Sequence, residues 1–164
     1  MNAQPPDGVS PERSGWREEA LSRRHRDWGL ACKMVDLDWF AVEYVVRDGA
    51  AHPVLVVDYK QAAAAWPPDP RDWNAEALGR FYHADGRQIA MVFVRYWRQP
   101  WTFLVRPGNA EARRILSDSW VMSERKYVRW LYRVRNIEMP AAVGDRLSSD
   151  LPLGFVEGRV DEVA

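Results

Sequence analysis

The chain has 164 residues, 47% of them hydrophobic, and its 23 basic and 23 acidic side chains balance to zero. That length suits one domain with a sizeable core. No run of about 18 apolar residues occurs, so no membrane span is expected. Cys32 is the only cysteine, which excludes an internal disulfide and a multi-cysteine zinc site. The polar, Pro-rich opening "MNAQPPDGVSPERSG" lacks the apolar stretch of a secretion signal, so a cytoplasmic location is the default expectation.

Charge is unevenly spread. Residues 1–15 carry a net −1 and residues 140–164 a net −3, leaving +4 on the middle of the chain. That is a mildly basic body with an acidic tail, weaker than the footprint of an obligate nucleic-acid binder. Only Lys33, Lys60 and Lys126 stand against twenty arginines. A retained lysine marks a place where a compact ammonium serves better than a planar fork.

In chain order, residues 1–11 are expected to be a flexible lead, 12–139 a domain, and 140–164 an acidic, weakly structured tail. "PERSGWREEALSRRHRDWG" predicts a helix over about 11–26, stopped by Gly29. "MVDLDWFAVEYVV" predicts one long strand, "RDGAAH" a turn at Asp48-Gly49, and "PVLVVDYK" the returning, interior strand. "NAEALGRFYHADG" predicts a helix with Leu78, Phe81 and Tyr82 inward, closed by Asp85-Gly86. "QIAMVFVRYW" and "WTFLVRP" predict two further strands. "GNAEARRILSDSW" predicts a short helix capped by Asn109. "SERKYVRWLYRVRN" predicts a last helix capped by Ser123, with Tyr127, Leu131 and Val134 on one stripe. Beyond Pro140 only "LGFVEGRV" suggests a strand. The order is α-β-β-α-β-β-α-α: an α/β fold with a mixed central β-sheet flanked by helices.

Chemistry concentrates where "PVLVVDYK" ends. Asp58 and Lys60 project to one face of the strand, about 7 Å apart along it. A turn near residues 48–50 sets Asp38 across from residues 58–62 and Asp36 across from 60–64. Carboxylates so gathered suit a hard divalent cation, Mg²⁺ or Mn²⁺, held through oxygen. Such a metal lowers the pKa of bound water and neutralises phosphoryl charge, while a lysine orients or deprotonates the water. The pattern points to phosphodiester hydrolysis. The bland alternative is an ion pair at a sheet edge.

With Asp58-Tyr59-Lys60 as the (D/E)-x-K and Asp36 or Asp38 upstream, the sequence resembles the PD-(D/E)XK nuclease superfamily over about residues 12–106. The combination "RRHRDWG … VDLDWF … PVLVVDYK … MSERKYVRWLYRVR" is similar to a phage and actinobacterial branch of it. The resemblance implies a restriction-endonuclease-like core (α-β-β-β-α-β) and Mg²⁺-dependent cleavage of nucleic acid, DNA before RNA. Asp38, Asp58 and Lys60 would be catalytic, and Asp36, Asp38 and Asp58 would hold metal. Glu18 or Glu19 would be the helical acid of several branches, and Gln61 a polar neighbour of the site. A homodimer would suit two-strand cleavage. The departure from the pattern is the first core strand, which is missing unless "LACKMV" begins it.

Arg24, His25 and Arg26 in "SRRHRDWG" offer a phosphate grip, with His25 as proton donor. Basic side chains at a helix C-terminus are also expected on electrostatic grounds. Arg125, Lys126, Arg129, Arg133 and Arg135 beside Tyr127, Trp130 and Tyr132 suggest a backbone-tracking face, Arg129 and Arg133 foremost. Arg95, Arg98 and Arg106 would extend it. Glu124-Arg125-Lys126 repeats the three-residue pattern, but on a helix positions two apart diverge. The rival reading is a catalytically silent module of the same fold that binds nucleic acid or a protein partner.

Overall fold

A computed structural model describes residues 20–29, 31–36, 41–62 and 81–160. The first helix, α1, runs over Ala20–Asp27 and turns Leu21, Ser22 and His25 inward. Gly29 ends it at φ +104°, where a side chain would also overlap the Tyr132 hydroxyl. That hydroxyl donates to the Trp28 carbonyl at 2.8 Å, so the chain leaves the helix against a fixed partner.

The expected long strand is two. β1 (Lys33–Asp36) and β2 (Ala41–Arg47) form an antiparallel pair with Asp36 opposite Ala41. β1 begins inside "LACKMV". β2 then pairs with β3 (Ala50–Gln61), from Arg47↔Ala50 to Ala41↔Val57. Asp48 at φ 51° and Gly49 at φ 76° make the turn, the left-handed conformation that two-residue hairpin loops require.

β3 runs parallel to β4 (Met91–Arg98), so the chain must cross over between them. Residues 63–80 of that crossover, including most of the expected second helix, lie outside the described residues. Its predicted end differs: Phe81 and Tyr82 are exposed, and Tyr82 bridges Gln88 around the Asp85-Gly86 turn. β5 (Trp101–Pro107) follows as expected.

Asn109 caps α2 (Ala110–Ile115) as expected, its Oδ1 accepting from Ala112 N at 2.9 Å. The same side chain reaches the Met91 amide and the Ile89 carbonyl, which ties the helix start to β4. Ser119 and Trp120, expected at the end of that helix, instead open β6 (Ser119–Ser123). α3 (Glu124–Val134) starts after Ser123, but the Ser123 side chain makes no cap bond. It donates to Glu157 at 2.6 Å. The segment after Pro140 joins the fold: α4 (Ala141–Gly144) buries Val143, Leu147 is buried, and β7 (Gly158–Val160) pairs with β6.

The product is a mixed α/β fold. Its seven-stranded sheet has the order β1-β2-β3-β4-β5-β6-β7, antiparallel except between β3 and β4. Helices α1 and α3 pack on one face, where Leu55, Val57, Val92, Val94, Phe103 and Val105 alternate inward to meet Leu21, Trp28, Tyr127, Val128 and Leu131. A smaller cluster, Val56, Ile89 and Met91 with Val42 and Phe93, occupies the other face. The middle strands are apolar on both sides and so appear in the sequence as unbroken hydrophobic runs.

Candidate functional site

Asp58 and Lys60 stand at the C-terminal end of β3 on the face opposite α1 and α3, because Val57 and Tyr59 alternate toward the helices. Lys60 Nζ lies 3.0 Å from Asp58 Oδ1, with the Asp58 side chain 7% exposed and that of Lys60 35%. The parallel register sets Phe93 beside Asp58 and Arg95 beside Lys60; Arg106 pairs with Phe93. Arg95 and Arg106 therefore share the face of Asp58 and Lys60, and not the face of α3 that they were expected to extend. The Arg95 guanidinium donates twice to the Ala62 carbonyl and sits 5.4 Å from the Trp97 ring, an ordered cation next to Lys60.

Asp36 does not come opposite Lys60. β1 ends at Asp36 and β2 begins at Ala41, so Asp36 stands opposite Ala41, in the row that passes through Val57 rather than Lys60. Asp38, Glu18 and Glu19 fall outside the described residues. Gln61 is exposed and alternates away from Lys60, so it does not border the pair.

Arg24 and His25 are occupied inside the fold rather than offered to a phosphate. Arg24 forks onto Glu124, with Nη2 to Oε2 at 2.7 Å and Nε to Oε1. Trp28 Nε1 also donates to Oε1 at 3.0 Å, and the Ser148 amide donates to Oε2 at 3.2 Å. Glu124, fully buried, thus clamps α1, α3 and the C-terminal segment together. His25 Nε2 donates to Glu43 Oε1 at 2.8 Å. Arg26 lies exposed on the outer side of α1.

Glu43 is the centre of a second buried network. Besides His25 it accepts from the Arg135 guanidinium and from the Tyr59 hydroxyl, and Tyr127 is 2.7 Å from that hydroxyl. Arg135 is wholly buried and also donates to the Tyr44 and Leu131 carbonyls. It was expected on the wet face of α3, but the helix ends at Val134 and Arg135 turns in. Tyr127, Trp130 and Tyr132 are buried too, so they are core and not a stacking platform. Burial alone would raise the Glu43 carboxyl, but His25 and Arg135 outweigh it and hold the group below its ordinary value.

His25, Cys32 and Glu43 bring ligand-type atoms within 4.8 Å of one another. They do not suit a metal. Arg135 already holds Glu43 and would repel a cation, while burial, then the Glu43 charge, push the Cys32 thiol well up and away from the thiolate a metal needs. Sequence reasoning passed over this network. The one signal was an acid on the inward positions of β2, where Ala41, Glu43 and Val45 alternate with less buried neighbours.

On α3, Arg129 and Arg133 are exposed and Arg125 is half-buried. They lie across the helix layer and the sheet from Asp58 and Lys60. No helix among the described residues is long and apolar enough to cross a membrane. No protein-family model, curated protein or solved structure matches the chain.

Proposed function

We propose that the protein is a Mg²⁺-dependent phosphodiesterase acting on DNA, with its reaction centre at Asp58 and Lys60. The observation that carries this reading is the acid and lysine on one face at the end of the third strand, 3.0 Å apart. The order α1-β1-β2-β3, then a crossover to a parallel β4, supports a restriction-endonuclease-like core, with β1 as the short first strand.

The donor chemistry fits a hard cation. Asp58 offers carboxylate oxygen in a largely dry setting. Asp36 shares the row of Val57, which faces the helices, so Asp38, outside the described residues, would add the second carboxylate. Bound Mg²⁺ would lower the pKa of a water and offset charge on a phosphoryl oxygen. Lys60, with its ammonium half-exposed beside the acid, orients the attacking water or steadies charge on the pentacovalent centre. Arg95 adds a fixed positive charge next to Lys60, on the side from which a phosphate would approach.

Labelled DNA and RNA, single- and double-stranded, incubated with Mg²⁺ or Mn²⁺ test this reading. Lys60→Ala is expected to lower cleavage by about 10²–10⁴-fold, and Asp58→Asn to weaken metal binding by calorimetry. Unchanged cleavage by both variants would rule the site out. A second reading, a silent module of the same fold, is favoured by the closed Asp58–Lys60 pair; metal-independent binding without product would select it.

A further inference from the structure

We infer that the outer face of α3 is a docking surface for the backbone of double-stranded DNA, separate from Asp58 and Lys60. Arg125, Arg129 and Arg133 recur every four residues and form one stripe, each about 6 Å along the axis from the next. Like charges at this spacing weaken a helix unless something compensates them. Among the described residues no carboxylate pairs with Arg129 or Arg133. Arg125 is steadied by the Leu147 carbonyl at 3.2 Å.

The stripe forms the shared wall of two grooves, of about 640 and 490 Å³. Lys126 borders the second groove and is paired with Glu157 at 3.6 Å. Glu138 and Asp145 mark the acidic rim of the first and limit the basic strip to α3 itself.

The aromatic side chains decide the occupant. Tyr127, Trp130 and Tyr132 are buried, and Trp120, the half-buried aromatic of the second groove, is already covered by the Lys126 ammonium 5.0 Å from its ring, so the face offers charge before it offers stacking. A surface of that kind contacts phosphates and not bases, which suits a duplex, whose phosphates lie outside. An exposed helix also meets B-form DNA more readily than the deep, narrow groove of duplex RNA. This surface does not depend on the chemistry assigned to Asp58.

Fluorescence anisotropy with a short labelled DNA duplex, in EDTA so that nothing is cleaved, tests it on the full chain. Arg129→Ala/Arg133→Ala should bind roughly tenfold more weakly at low salt, and its log K against log salt slope should be shallower by about 1.8. The control Arg113→Ala/Arg114→Ala removes equal charge from α2 and should bind as the wild type does. An equal loss in that control, an unchanged double variant, a wild type that ignores the duplex, or equal preference for single strands or polyglutamate each overturns the inference. The stripe effect with no cleavage by the wild type in Mg²⁺ would leave the docking surface standing and remove the phosphodiesterase reading. Cleavage without the stripe effect would do the reverse.

Discussion

The two faces of the sheet use charge in opposite ways. Under α1 and α3, Glu43 and Glu124 are wholly buried and each holds an arginine. On the other face Asp58 holds Lys60 at the end of a strand, with the lysine side chain about one-third exposed. All are ion pairs, but Glu43–Arg135 is sealed from solvent and Arg24 is 27% exposed, while Lys60 at 35% is the most accessible of the three cations. A buried pair is expensive to break, because removing one partner strands the other in a dry site. A pair whose lysine reaches solvent costs less to open, because the ammonium can be rehydrated while a substrate or a metal takes its place beside the acid.

That contrast can be broken from either side. The largest stability effect should come from Glu43→Ala, which leaves Arg135 buried without its carboxylate and should cost about 3–5 kcal/mol in urea unfolding. Arg24→Ala should cost about 2 kcal/mol, less because Arg24 is partly solvated and Glu124 keeps bonds from Trp28 and Ser148. Lys60→Ala should cost roughly 1–2 kcal/mol, because the Asp58 carboxylate left behind is buried while the lysine side chain itself reaches solvent, while removing cleavage. A Lys60 variant as unstable as the Glu43 variant would erase the distinction.

The smallest effect sharpens the comparison through pH. Despite its burial, Glu43 is held below its ordinary value in the fold by His25 and Arg135 and titrates in the ordinary glutamate range when unfolded. The folded state therefore releases that proton at lower pH. Its contribution is complete above the ordinary glutamate range and is lost as pH falls through the folded value. Unfolding midpoints measured down the acid range should fall less steeply for Glu43→Gln than for the wild type.

Local signals were legible where the chain obeys short-range rules. Asp48-Gly49 fixed a hairpin, Asn109 a helix start, and the apolar run into Asp58 an interior strand with an acid and a lysine on one side. The break between β1 and β2 was not, because "LDWF" carries no glycine, proline or asparagine to mark a turn. β6 hid across the junction of two expected helices, since "SWVMS" is too short for its period to declare itself. The roles of Arg24 and His25 were the least accessible. Both looked like a basic cluster at a helix end, and only partners 100 and 18 residues away showed what they hold.

Glu124 also has a consequence in time. It anchors Arg24 and Trp28 from about 100 positions further along the chain. A ribosome adding 5–20 residues per second needs roughly 5–20 s to travel from Arg24 to Glu124. During synthesis the first helix must wait that long for its carboxylate. Its apolar side, Leu21 and Trp28 included, stays without its final cover until α3 has emerged. Newborn chains should therefore call on chaperones early, at the N-terminal end, even though the finished fold shelters that end completely at Trp28.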